Sequence, residues 1–148
     1  MRLSSSLLLK NQLKMALTRE VINIEAAPKP IGPYSHAVRL GQIVYTSGQV
    51  GSDPKTRTLV PGGIAEETRQ ALTNLRNILE SAGSGLSSVA KCTVFLADMK
   101  EFADMNKVYA EFFPTQLPAR SAFQVVELPM KARVEIQAVA AVTDLSKL

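Results

Sequence analysis

The chain has 148 residues, a hydrophobic content of 46% and a formal net charge of +4, which is the size of one domain with enough apolar material for a core. Its longest apolar run in the body, Ala138–Val142, is far too short to cross a bilayer and excludes an integral helical membrane protein. One cysteine, Cys92, excludes an internal disulfide and a multi-thiolate zinc site, and one histidine, His36, excludes a His-rich metal cluster and paired-histidine acid/base chemistry.

The positive charge is local. Four of the 17 basic residues, Arg2, Lys10, Lys14 and Arg19, fall in the first 19 positions, where there are no acids, so positions 20–148 hold 13 basic and 13 acidic residues. A formally neutral body without a dense basic cluster argues against nucleic acid as the main partner, because capture of a phosphate backbone needs clustered cations. Residues 1–17 are treated as an N-terminal extension. Met1–Lys14 is basic, acid-free and rich in Ser and Leu, the composition of a mitochondrial presequence or of an upstream extension with Met15 as a second start. The expected location is therefore the cytoplasm, the mitochondrion or both.

Residues 18–148 read as one α+β domain. Thr18–Ile24 predicts a short strand, followed by the loop Ala27-Pro28-Lys29-Pro30. Ser35–Leu40 and Ile43–Val50 predict two strands joined at Gly41-Gln42. Ile64, Ala71, Leu72, Leu75, Ile78, Leu79 and Ala82 recur at helical spacing, with Glu66 and Glu67 in the first turn and Gly83 as the stop. Val89–Ala97 predicts a central strand. Asp98 and Glu101 form a capping pair for a second helix, whose stripe is Phe102, Met105, Tyr109 and Phe112 and which Pro114 ends. Strands at about Ser121–Glu127 and Arg133–Val142 close the chain. The order gives a sheet of about six strands with two helices on one face. The second face would carry a large apolar patch on a monomer, so self-association is expected.

There is no Gly-x-Ser-x-Gly elbow, phosphate-binding glycine loop or dinucleotide fingerprint, and Gly83-Ser84-Gly85 reads as a helix stop. His36 and Cys92 read as structural, within predicted strands and without sequence neighbours that would activate them. Two charges stand out. Arg120 follows Leu117-Pro118-Ala119, a rigid loop that delivers it to the sheet edge, and Glu135 interrupts the most hydrophobic strand. A carboxylate there needs a partner or a task, because burying it alone is costly. An Arg120–Glu135 salt bridge, a solvated Glu135 and a functional pair all fit.

Read together, Ile31-Gly32-Pro33-Tyr34-Ser35, Thr46-Ser47-Gly48-Gln49, Phe102 to Asn106 and Tyr109 with Phe112-Phe113, Pro118-Ala119-Arg120-Ser121, Leu128-Pro129 and Val134-Glu135-Ile136 resemble the Rid family. Its members are the reactive intermediate (imine) deaminases, also called the liver perchloric-acid-soluble protein family, and the likeness spans about residues 18–143. The resemblance implies a chorismate-mutase-like fold, a homotrimer with clefts between subunits, and hydrolysis of 2-imino acids such as 2-aminoacrylate and 2-iminobutyrate to 2-keto acids and ammonia. It implies no cofactor and no metal. By the same match Arg120 binds the substrate carboxylate, Glu135 orients or deprotonates water and Tyr34 lines the cleft. Ser47, Gly48, Asn106 and Ala122 match further cleft positions, and Ala122 stands where many bacterial relatives have cysteine. The competing readings are a ribonuclease or translation inhibitor, a non-catalytic metabolite-binding module and a chaperone-like trimer.

Overall fold

A computed structural model describes Ser6 and residues 18–144. Apart from Ser6, the N-terminal segment read as a presequence or upstream extension lies outside the described residues. Seven strands form one sheet with the order β1-β2-β3-β7-β5-β6, and β4 also pairs with β7. The strands are β1 (Arg19–Ile22), β2 (Ala37–Leu40), β3 (Ile43–Thr46), β4 (Gln49–Val50), β5 (Val89–Leu96), β6 (Ala119–Gln124) and β7 (Val134–Ala141). Helix α1 (Gly63–Ser81) links β4 to β5, and α2 (Phe102–Phe112) links β5 to β6. All pairings are antiparallel except β5 with β6, the pair whose connection carries α2, as a parallel crossover requires.

Burial follows the two periods written into the sequence. In β7, Val134, Ile136, Ala138 and Ala140 are buried, while Glu135, Gln137 and Val139 are half-buried on the other side. In β5, Cys92, Val94 and Leu96 are fully buried beneath the helices. Leu72, Leu75, Ile78 and Leu79 of α1 and Met105 of α2 meet that face in one cluster. Truncating any of these leucines to alanine would cost about 2–5 kcal/mol. Gly83, at φ 78°, ends α1: its N–H donates to the Glu80 carbonyl and that of Ser84 to the Leu79 carbonyl, a Schellman closure. The opposite sheet face lies open, with Val21 48%, Tyr45 48% and Phe123 46% exposed.

Four details differ from the sequence reading. The predicted third strand breaks into β3 and β4, which raises the count from about six to seven. Tyr45 pairs with Val139 and Gln49 with Ile136, so four steps on one side match three on β7, a β-bulge. The Thr46 side chain fills the gap: its hydroxyl accepts from the Ala138 N–H at 2.9 Å and donates to the Ala138 carbonyl at 3.3 Å. Second, Asp98 caps a 3-10 turn (Met99–Glu101) through the Lys100 N–H, and Glu101 turns away to bind Arg133 at 2.6 Å, so the two form no capping box. Third, β6 begins at Ala119 rather than about Ser121, so Arg120 is its second residue, on the edge strand where the loop was expected to deliver it. The parallel ladder with β5 starts at Ala119, directly after Pro118, which has no N–H to contribute.

Fourth, Glu67 is buried and does more than face the helix dipole. Its carboxylate accepts the Arg133 N–H at 2.8 Å and lies 3.9 Å from the Arg133 guanidinium. Burial raises its pKa, opposed by those Arg133 interactions. This bond holds the chain at the entry to β7, two residues before Glu135. Gly51 crosses directly over the same spot, where an added Cβ would stand 2.4 Å from the Glu67 Cα. Gly51→Ala must therefore shift backbone. It should lower unfolding stability by about 1–3 kcal/mol, measured by urea denaturation at fixed protein concentration.

Candidate functional site

The bulge builds one half of the site. At Gly48 the chain runs so close to β7 that a Cβ would lie 1.8 Å from Glu135 Oε1 and 2.7 Å from its Cγ. Gly48 is needed there for its missing side chain, since its φ is not left-handed. Glu135 thus lies across Gly48 into a cleft of about 660 Å³ whose wall also includes Tyr34, Ser47, Arg57 and Met130. Its carboxylate has no hydrogen-bond or ion-pair partner among the described residues, and burial pushes its pKa up. The Tyr34 hydroxyl accepts from the Ile31 N–H at 3.3 Å, leaving its own proton available to the cleft. Ser47 donates its hydroxyl to the Ser35 carbonyl at 2.6 Å and its N–H to the His36 carbonyl at 2.9 Å, so it shapes the wall. Arg57 and Met130 take left-handed φ values of 60° and 59°, which places strained backbone at the cleft rim.

His36 holds the outer loop in place. Its Nδ1 accepts the Ile24 N–H at 3.0 Å and its Nε2 donates to the Pro28 carbonyl at 2.8 Å. Both ring nitrogens are engaged by backbone, which assigns the neutral Nε2–H tautomer and a structural role. Cys92 is buried, and desolvation raises its pKa, in line with its reading as a small hydrophobe.

Arg120 lies elsewhere. It pairs across the ladder with Cys92, on the helix-covered face, whereas Glu135 pairs with Phe95, on the open face. The two side chains are thus on opposite sides of one sheet and form no salt bridge with each other within the chain, which removes an intrachain ion pair from the readings of these residues. Arg120 Nη1 donates to Asn106 Oδ1 at 2.7 Å, and its guanidinium sits 4.6 Å from the Tyr109 ring centroid and 5.4 Å from that of Phe102. Among the described residues no carboxylate pairs with it. Ala122, two residues along β6, shares its side of the strand and packs against the core. Of the sequence-predicted residues, Tyr34, Ser47, Gly48 and Glu135 therefore share one cleft, and Arg120, Asn106 and Ala122 share another place.

Among the described residues no three of His, Cys, Asp and Glu converge as metal ligands. The first place holds a carboxylate, which can accept protons or hydrogen bonds, and the second a forked cation suited to bind a carboxylate in two-pronged fashion.

Comparison with known proteins settles the family. Residues 24–142 match the family model described as endoribonuclease L-PSP. The chain belongs to that family. L-PSP is the liver perchloric-acid-soluble group of the Rid resemblance, which is thereby borne out. A 2-iminobutanoate/2-iminopropanoate deaminase of Bos taurus is 50% identical over 125 residues, covering 84% of this chain and 91% of the relative. A RutC family protein of Pyrococcus horikoshii is 51% identical over 122 residues, covering 82% and 97%. The solved structure of TdcF from E. coli with bound serine superposes with a TM-score of 0.79 at 38% identity, covering 82% of this chain and 98% of that one.

Two features of this L-PSP chain escaped the sequence reading. Phe102 and Tyr109 belong to the core stripe as expected, and what the reading lacked is that both rings also face Arg120. The signal was present: Phe102, Asn106 and Tyr109 stand at i, i+4 and i+7, one stripe of a helix. Arg57 and Met130 left no such trace, because their place at the cleft depends on loop conformation.

The raised pKa of Glu135 has a definite sign. The folded chain holds that proton more tightly than the unfolded chain, so stability falls as pH rises from the ordinary glutamate pKa through the raised folded one, and the cost is complete only above the latter. Glu135→Gln should therefore unfold at an equal or higher urea midpoint than wild type at pH 7 and equal concentration. The difference should close by about pH 4, near the ordinary glutamate pKa. A lower midpoint for the variant at pH 7 would show that the carboxylate has a stabilising partner.

Proposed function

We propose that this protein hydrolyses 2-imino acids to 2-keto acids and ammonia, in clefts shared between the subunits of a homotrimer. The observation that carries the reading is a carboxylate and an arginine, both without a counter-ion among the described residues, held on opposite faces of one sheet. Neither half-site is complete within a chain. A second copy docked on the open, apolar face would bring its Arg120 and Asn106 to the cleft formed by Tyr34, Ser47, Gly48 and Glu135, and would cover the exposed patch in the same step. The relatives named as 2-iminobutanoate/2-iminopropanoate deaminases support the substrate class. The serine bound by TdcF carries the same α-carboxylate that such substrates carry.

The chemistry asks little of the protein. A protonated 2-imino acid is already electrophilic at C2. Arg120 binds its carboxylate through two parallel hydrogen bonds, a geometry that lysine does not offer. Glu135 favours the iminium charge, accepts a proton from water as its oxygen attacks C2, and returns that proton to the nitrogen. The C–N bond then breaks with its electron pair leaving on nitrogen, and the carbinol hydroxyl loses its proton to yield the keto acid and ammonium. The endoribonuclease activity in the family description is less well supported here, because both nitrogens of the single histidine are tied to backbone.

Complementation tests the shared cleft. Arg120→Ala and Glu135→Gln homo-oligomers should each lose at least about a hundredfold in kcat/KM for freshly generated 2-iminobutyrate, the size expected for losing a positioned group. Mixed oligomers refolded from both variants should regain activity, since an Arg120 from one subunit meets a Glu135 from the other. Absence of regain in mixed trimers would place the site within one chain. Wild type without acceleration over spontaneous hydrolysis would favour a metabolite-binding module. Gly48→Ala supplies a gentler probe. The new methyl would displace the Glu135 side chain rather than backbone, so the protein should keep its fold by circular dichroism and lose about tenfold or more in kcat.

A further inference from the structure

Arg120 is held in an unusual way for a half-buried cation. Among the described residues no acid pairs with it, and Asn106 Oδ1 takes one N–H at 2.7 Å. The other contacts are to ring faces, Tyr109 at 4.6 Å and Phe102 at 5.4 Å. A ring face attracts a guanidinium through its quadrupole but does not consume the in-plane N–H groups. One of the five donors is taken by Asn106, and the others keep their hydrogen-bonding capacity while the side chain is oriented.

The seat has its own support. Phe102, Asn106 and Tyr109 lie on one stripe of α2, so all three meet Arg120 from one helix face. The Tyr109 ring stacks on Phe113 with centroids 4.7 Å apart at 33°. Beside it lies Cys92, the ladder partner of Arg120. The Tyr109 hydroxyl is buried without a nitrogen or oxygen partner among the described residues and lies next to the Cys92 thiol, at most a weak hydrogen-bonding group. The ring is used; the hydroxyl has little to do.

We propose that Tyr109 and Phe102 are positioning residues that act through Arg120, their rings setting the plane in which its guanidinium receives the substrate carboxylate. The inference rests on the reading of Arg120 as the carboxylate holder. It adds that an aromatic seat, and not a counter-ion, orients the arginine, so that no resident acid has to be displaced when substrate binds.

The test measures keto-acid release from freshly generated 2-iminobutyrate by the full-length oligomer. It also measures inhibition by 2-ketobutyrate and by its uncharged methyl ester. Tyr109→Phe should stay within about twofold of wild type, because the ring remains. Tyr109→Leu and Phe102→Leu should raise KM by roughly three- to thirtyfold with kcat largely kept, the range that a desolvated cation–ring contact spans. Both should lower the preference for the acid over the ester by a similar factor. An unchanged acid-to-ester preference in the leucine variants, with Arg120→Ala inactive, would overturn the seat and leave the carboxylate reading standing. Near-normal turnover by Arg120→Ala would overturn the carboxylate reading itself. If Tyr109→Leu fails to assemble by size-exclusion chromatography, Phe102→Leu, whose ring is only half-buried, decides the same question.

Discussion

Strand β7 is hydrogen-bonded along both edges, to β3 and β4 on one side and to β5 on the other, and the rest of the molecule depends on that double pairing. A strand held this way cannot slip by one residue without turning Val134, Ile136 and Ala138 out of the core and bringing Glu135 in. The register therefore assigns Glu135 to the open face. The bulge in the neighbouring strand then lets its side chain cross Gly48, and the Glu67–Arg133 contact anchors the strand just before it. One carboxylate is placed by three independent constraints, none of which offers it a charge partner.

The same alternation explains why the two notable charges never meet within a chain. Arg120 is on the edge strand, in register with Cys92, and its side chain turns towards α2. Glu135 is in register with Phe95 and turns the other way. Within the chain this leaves a cation seated on aromatic rings and an anion in a half-dry cleft. Each is a costly arrangement for stability alone, since burial weakens hydration without an opposite charge in return.

Much of the architecture was legible in the residues. The apolar spacing of Ile64 to Ala82 marked α1 to within a residue at each end, and Gly83 marked its stop. The alternation in Val134–Val142 separated the two faces of β7 correctly. The break in the third strand was not legible. Ile43–Val50 is a continuous β-like run, and only its pairing with a strand about ninety residues later creates the extra residue at the bulge. Asp98 and Glu101 had capping-box spacing, but Arg133, brought close by the fold, offered Glu101 a charged partner. Arg120 was placed correctly at the sheet edge, but the strand was started at about Ser121, whereas an edge strand tolerates a proline immediately before its ladder and so starts at Ala119.

Composition, periodicity and punctuation by themselves determined a single α+β domain, the two helices, most strands, a neutral body and the identity of the residues that stand out chemically. These are properties of short stretches of chain, governed by side-chain period and local backbone preference. Which residues share a cleft was decided only by tertiary structure. It depends on sheet order, on a one-residue register shift and on which face of the sheet each side chain leaves. Those follow from long-range pairing, where contacts between distant segments outweigh anything a local window contains.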